Sequence, residues 1–249
     1  MAIIQHGSFE TFSVKITATS RAAHPALNAL RTIADVREAT RAVQPVSLAF
    51  DVSSGPRGLA LKSLKLTRGF EGFLQNIFNK KNELYFLAWS WDLSGKPVVE
   101  YPGSVANAST CIIPLRVGQL REFLGAGIAL FPARIVTGGL STRIMLWESE
   151  QGARDFGKAM SEVANTIKAS KLNNLLSLIS LATGATAATV SLVKDAVIEL
   201  ADAIGMILKA NSDDYVDFYE GYYPAAEPWT SGDETYQGIA SEISLTRFV

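Results

Sequence analysis

The sequence predicts an α+β fold: an antiparallel β-sandwich of about eight strands, with a short N-terminal helix and a long two-helix insertion before the last two strands. Short segments of alternating apolar and polar residues, joined by turn-like loops, recur on both sides of residues 151–211. That block shows helical spacing instead. The 249 residues, 48% of them hydrophobic, suffice for one core. We therefore predict a single domain, 1–249, with the sandwich formed by 1–150 and 212–249 and a helical hairpin by 151–211.

The first predicted elements are a strand and a short helix. Phe12, Val14 and Ile16 alternate with polar residues, which is the period of a half-buried strand. Pro25 suits the first turn of a helix, and apolar residues continue at helical spacing to about Val43. Two segments of strand character follow within 45–70, separated by a Ser-Ser-Gly-Pro turn.

The clearest predicted strand is 84–91. Apolar residues occupy both alternating sets of positions in it, so both of its faces are expected to be covered, as in a central strand. The turn from Asp92 to Gly95 returns the chain to a partner strand at 97–101. Three further strands are predicted before residue 150 and two after residue 211.

The block 151–211 predicts a hairpin of helices, at about 152–182 and 186–210. Both ends carry apolar stripes at helical spacing, with charged residues on the opposite face. Lys171 and Lys194 bracket 22 consecutive uncharged residues, about the length of a membrane-spanning helix, but many of these residues are Ser, Thr or Asn. Gly184 suits an interruption between the two helices.

Three interpretations of this hairpin remain open at the sequence level. In the first, the hairpin is only packed structure. In the second, it opens onto a bilayer or a partner subunit. In the third, its helices form a coiled-coil-like pair that mediates a homo-oligomer. In the second interpretation Leu176, Ile179 and Val190 are the candidate membrane or partner contacts.

Charge is balanced over the whole chain but not along it. The net charge is −1, so no overall basic field indicates nucleic-acid binding. Residues 212–249 contain eight acidic residues and one basic residue, which gives −7, so the preceding 211 residues sum to +6. The C-terminal part is therefore distinctly acidic.

Acidic residues at the ends of predicted elements indicate a candidate calcium site. Asp51 and Asp92 end predicted strands, and Asp213, Asp214 and Asp217 follow the helical block. Calcium takes six to eight oxygen ligands, usually from several carboxylates on adjacent loops. The arrangement resembles the general scheme of C2-type lipid-binding sandwiches, and that resemblance implies lipid binding assisted by calcium. The same residues also suit ordinary turns and surface positions.

A cluster of aromatic residues between 215 and 229 is a second candidate contact region. Tyr222, Tyr223 and Trp229 are the members that we expect to meet a membrane or a partner, because amphipathic rings favour interfaces.

Signals for catalysis are scarce. His6 and His24 are the only histidines, and the sequence has no phosphate-binding loop, dinucleotide fingerprint, zinc helix or EF-hand loop. The single cysteine, Cys111, excludes a disulfide or a cysteine-based zinc site within one chain. The first residues, MAIIQHGSFE, predict no cleavable secretory signal and leave the compartment undetermined.

The sequence therefore predicts a non-enzymatic β-sandwich module that interacts with lipid or a membrane. Calcium is its candidate cofactor, and its helical hairpin is expected to insert or oligomerise. The alternative is a soluble sandwich that binds a protein or a glycan and whose hairpin is only packed structure. The expected partners are a membrane surface or a protein, and not nucleic acid.

Overall fold

The computed structural model describes residues 2–5, 14–16, 48–68, 82–103, 111–148, 199 and 214–249 of the 249. Thirteen strands lie within these residues. They are β1 (Ala2–Gln5), β2 (Val14–Ile16), β3 (Leu48–Phe50), β4 (Arg57–Leu66), β5 (Asn82–Trp91), β6 (Val99–Tyr101), β7 (Ile113–Leu115), β8 (Leu120–Glu122), β9 (Ile128–Arg134), β10 (Gly139–Glu148), β11 (Asp214–Pro224), β12 (Gly232–Gln237) and β13 (Ser241–Phe248).

The larger sheet has six strands in the order β1-β11-β10-β5-β6. β7 pairs with the beginning of β5 and β6 with its end, so both lie along one edge of that strand. All pairings are antiparallel except that of β1, which runs parallel to β11. The centre of the sheet is formed by β5, β10 and β11, its longest strands.

The second sheet has five strands in the order β12-β13-β4-β8, and β9 also pairs with β4. β8 and β9 lie one after the other along the same edge of β4, because β8 pairs with residues 63–65 and β9 with residues 57–61. The strands β2 and β3 form a separate two-stranded sheet.

The two large sheets share one hydrophobic core. Leu61 and Leu64 of β4 belong to the same buried cluster as Phe86 of β5, Ile144 of β10 and Tyr219 of β11. Every second residue of the central strands points into this cluster, as expected for two stacked sheets. The described residues therefore form a sandwich-like arrangement.

The central strands of the six-stranded sheet are buried on both faces, as predicted for 84–91. Every residue of β10 is buried, and β5 is buried from Leu84 to Trp91. On the face away from the shared core, Tyr85 stacks on Trp147 with ring centroids 5.8 Å apart. The near-continuous apolar sequence of β5 reflects this double burial.

The predicted α+β class is wrong. The described residues form an all-β architecture of two largely antiparallel sheets and contain no helical element. The class was inferred from helical spacing at about 25–43 and in 151–211, and such spacing is a local pattern that does not determine a fold. Apart from Glu199, both segments lie outside the described residues. The coarser prediction of an antiparallel β-sandwich agrees with the two stacked sheets.

The strand count also differs from the prediction. The last predicted strand is a hairpin, β12 and β13, so three strands rather than two follow residue 211. Three of the strands have only three residues each; β6 and β7 lie within predicted strands, whereas β8 was not predicted. The three residues of β8 contain too little alternation to be recognised by period, and no neighbouring strand signal extends over them.

Candidate functional site

The predicted calcium ligand Asp92 is buried in a network of protein donors. Its Oδ1 accepts hydrogen bonds from Arg134 Nη2 at 3.0 Å and Ser94 Oγ at 2.8 Å. Its Oδ2 accepts one from the backbone N–H of Thr137 at 3.0 Å. These contacts join the turn after β5 to the end of β9 and to the segment between β9 and β10, which leads from one sheet to the other. The carboxylate therefore stabilises the sandwich in this structure.

Asp217 is held in the same way at another position. Its Oδ1 accepts the N–H of Ile239 at 2.9 Å, and its Oδ2 accepts the N–H of Ala240 at 2.9 Å and the hydroxyl of Ser241 at 2.7 Å. A Cβ on Gly238 would lie 2.4 Å from Oδ2, so this turn requires a glycine beside the carboxylate. Asp217 thereby fastens β11 to the turn between β12 and β13.

The strand register separates the predicted acidic ligands. Asp92 follows Trp91, which pairs with Ser141 near the start of β10, whereas Asp214 pairs with Glu148 at its end. Seven residues of strand correspond to roughly 23 Å. Asp51 lies on the Asp92 side, since its carbonyl accepts the N–H of Gly138 at 2.7 Å.

The four predicted acidic ligands that the structure describes are therefore not brought together. Asp51 and Asp92 lie at one end of the sandwich, Asp214 and Asp217 lie towards the other, and Asp213 is outside the described residues. Within the described part of the chain, no group of three or more His, Cys, Asp or Glu residues is arranged to hold a metal ion. Calcium binding remains a prediction.

The predicted aromatic contacts lie inside the sandwich or against it. Tyr222 and Tyr223 are each 3% exposed. The Tyr222 hydroxyl donates to the carbonyl of Gly138 at 3.0 Å, and a Cβ on Gly139 would clash with the Tyr222 ring. Burial raises the pKa of both tyrosines above the ordinary tyrosine range. Neither ring is available to a bilayer in this conformation.

Trp229 is half-buried and is fixed by its neighbours. Its Nε1 donates to the carbonyl of Phe248 at 2.9 Å, and its ring meets that of Tyr223 edge-on at 5.3 Å. The buried guanidinium of Arg57 lies 5.3 Å from the Trp229 ring and donates to the carbonyls of Pro224 and Ala225, each at 2.6 Å. Arg57 therefore fastens the connection from β11 to β12. The other predicted contacts, Leu176, Ile179 and Val190, lie outside the described residues.

A different surface carries exposed apolar and basic side chains together. We call it the apolar–basic strip. Its apolar members are Val117, Leu120, Leu124 and Ile239, and its basic members are Lys62, Lys65, Arg68, Arg116 and Arg121. The strip contains four of the seven large apolar side chains that are exposed among the described residues. Such a concentration marks a candidate interaction surface.

Hydrogen bonds and strand register place these residues along β4. Leu120 pairs with Lys65, and the N–H of Gly118 donates to the carbonyl of Leu66 at 2.7 Å. On the other side of β4, the N–H of Thr67 donates to the carbonyl of Ala240 at 2.7 Å, which places Ile239 near the same end. The part from Val117 to Leu124 covers seven residue steps, which corresponds to at most about 23 Å at ordinary strand spacing.

The strip also collects most of the remaining basic side chains of the described residues, one of which, Lys62, donates to carbonyls of residues 123–127. Arg134, Arg143 and Arg247 form ion pairs with Asp92, Glu220 and Glu234. Arg57 binds backbone carbonyls. Of the other basic side chains that the structure describes, all but Lys96 belong to the strip. Glu122 and Glu242 also lie on this surface, so its local charge is positive by about three.

Leu124 is the most exposed residue of the strip, with 96% of its surface accessible. It lies in residues 123–127, which loop out between β8 and β9. Gly125 and Gly127 in this loop have φ angles of +62° and +104°, a left-handed backbone conformation that favours glycine. We did not predict Leu124 as a site residue, because in sequence it continues an apolar run that favours a core position.

No family model, curated protein or solved structure matches this chain. Within the described residues, no helix has both the length and the apolar character needed to cross a membrane.

Proposed function

We propose that the protein is a non-enzymatic β-sandwich module that docks on anionic membrane surfaces through the apolar–basic strip. The exposure of Leu124 carries this proposal, because a leucine left almost entirely in water at an ordered loop is suited to transfer into an apolar environment. The basic residues of the strip, Arg116 and Arg121 among them, supply attraction to anionic headgroups.

The strength of such docking follows from ordinary magnitudes. Burying one leucine side chain contributes about 1.5–3 kcal/mol, and each basic residue near an anionic surface contributes about 1 kcal/mol. The sum supports reversible binding that requires anionic lipid, and a homo-oligomer would strengthen it through avidity. Apolar insertion and charge are both needed, as is usual for peripheral attachment.

This proposal differs from the sequence-based expectation in two respects. The contact surface is a set of strands and loops at the edge of β4, and the proposal does not rest on the helical hairpin, which lies outside the described residues. Calcium is not required, because basic side chains meet the headgroups directly. Binding that depends on calcium would instead support the predicted acidic ligands.

The test is co-sedimentation with vesicles of phosphatidylcholine, with and without added phosphatidylserine, run in calcium and again in chelator. We expect pelleting with the phosphatidylserine vesicles in both conditions. Leu124→Asp should abolish it, whereas Val249→Asp should not, because Val249 is 72% exposed but lies at the opposite end of β13 from Ile239.

Protein that stays in the supernatant under every condition would contradict membrane docking. The soluble protein- or glycan-binding interpretation would then be favoured, with the same strip as the first surface to probe. Equal loss of pelleting in Leu124→Asp and Val249→Asp would show that added negative charge, and not the position of the leucine, governs binding.

A further inference from the structure

Lys62 occupies an irregular position in the middle of β4. On one side, Leu61 pairs with Leu245 and Ser63 with Ser244, so Lys62 is an extra residue opposite an unbroken β13. A β-bulge of this kind redirects the side chain of the extra residue.

The opposite edge of β4 is interrupted at the same level. There Ser63 pairs with Glu122 of β8 and Leu61 with Ile128 of β9. Residues 123–127 therefore leave the sheet directly opposite Lys62. The bulge and the loop are two sides of one break in the strand pairing.

Lys62 binds the loop with both its backbone and its side chain. The N–H of Phe123 donates to the carbonyl of Lys62 at 2.9 Å. The ammonium Nζ of Lys62 donates to the carbonyls of Gly125 at 2.9 Å and Phe123 at 3.3 Å. One lysine thus holds the loop on either side of Leu124.

The rest of the loop is fixed by the backbone. The N–H of Gly127 donates to the carbonyl of Leu124 at 3.1 Å, which closes a tight turn. A Cβ on Gly127 would lie 2.2 Å from the carbonyl oxygen of Leu61, so the loop approaches β4 as closely as a glycine permits. Phe123 packs against the core while Leu124 stays exposed. The backbone is held inward and one apolar side chain is directed outward.

From this geometry we infer that residues 123–127 are a preorganised membrane-insertion loop and that Lys62 is its positioning residue. The inference rests on the proposed membrane docking and specifies how Leu124 is presented. A loop already fixed in its bound conformation loses little conformational entropy on docking. The same ammonium also donates hydrogen bonds to loop carbonyls that would otherwise face the headgroup region without a donor.

The test compares Lys62→Met with Lys65→Met, because each removes one positive charge from the strip and only Lys62 holds the loop. Removing one charge should weaken binding to phosphatidylserine vesicles about fivefold. Lys62→Met should weaken it on the order of 30-fold, because the freed loop must be ordered on docking. Lys62→Arg, which keeps both charge and donors, should restore most of the affinity.

A second readout does not involve membranes. Amide hydrogen exchange at Phe123 and Gly127 should accelerate at least tenfold in Lys62→Met and remain at the wild-type rate in Lys65→Met. Equal losses of affinity in the two variants, or unchanged exchange in Lys62→Met, would overturn the positioning role while leaving membrane docking intact. Absence of vesicle binding by the wild-type protein would overturn both.

Discussion

The carboxylate of Asp217 accepts the backbone N–H of Ala240 at 2.9 Å, and this contact joins the six-stranded sheet to the turn between β12 and β13 of the other sheet. Asp217 is 1% exposed, so the bond is shielded from water. Buried hydrogen bonds to a charged group contribute more to stability than neutral ones.

Asp217→Asn should therefore destabilise the fold by about 2–3 kcal/mol, because an amide nitrogen replaces one of the two acceptor oxygens and faces N–H and O–H donors. The measurement is the midpoint of urea unfolding. Asp233→Asn is the control, because Asp233 is exposed and accepts from Thr246 Oγ1. Its effect should stay within about 0.5 kcal/mol. Comparable losses in both variants would show that the carboxylate does not link the sheets.

The buried tyrosines predict loss of stability at alkaline pH. Burial raises the pKa of four tyrosines in the folded protein, the buried Tyr219, Tyr222 and Tyr223 and the partly buried Tyr236. The unfolded chain releases these protons near pH 10, while the folded chain retains them. The free energy of unfolding therefore keeps its full value below pH 10. Above pH 10 it falls as pH rises, by up to about 1.4 kcal/mol per pH unit for each tyrosine.

Urea unfolding at a series of pH values from neutral to strongly alkaline measures this slope. Tyr223→Phe should make the decline shallower by the contribution of one tyrosine. An unchanged slope in that variant would mean that Tyr223 ionises normally in the folded protein.

The two glycines of the insertion loop should differ sharply in their tolerance of a side chain. Gly127→Ala places a Cβ against the Leu61 carbonyl at a positive φ and should cost about 2–4 kcal/mol or displace the loop. The Cβ added by Gly125→Ala has no atom within 4 Å, so this variant should lose only about 1–2 kcal/mol of stability, from the strain of a left-handed backbone. Thermal unfolding of the two variants compares them, and equal effects would argue against close packing of the loop on β4.

Docking through the strip should depend on salt and on the position of charge. Arg121→Glu removes one positive charge and adds a negative one, so vesicle affinity should fall on the order of 30-fold. Lys96→Glu makes the same change in the turn after β5, outside the strip, and should have little effect. Raising the ionic strength from about 0.1 M to 1 M shortens the screening length from about 10 Å to 3 Å and should release the wild-type protein. Vesicle binding that persists in high salt would contradict an electrostatic contribution.

The sequence contained enough information to locate the central strands and several turns. β5 was recognised because its two faces are both apolar, and the turn that ends at Gly95 was recognised from its residues. These are local properties, so they can be deduced without knowledge of the fold. The sandwich-like stacking followed from the number of short strands, although the fold class was assigned incorrectly.

The candidate site depended on information that local patterns do not carry. Asp92 and Asp217 were grouped as ligands because one ends a predicted strand and the other follows the predicted helical block, but the antiparallel register places them far apart. Leu124 belongs to an apolar run in sequence and is exposed only because the pairing with β4 breaks opposite Lys62. Register and bulges arise from long-range pairing, which a single sequence does not reveal.

The break between β8 and β9 also has a consequence for solubility. An uninterrupted edge strand offers a row of unpaired backbone groups onto which another chain can add. Here the edge beside β4 is divided between β8, with three residues, and β9, with seven. β9 also contains Pro132, which has no N–H to donate. The loop that exposes Leu124 therefore also prevents this edge from acting as a template for aggregation.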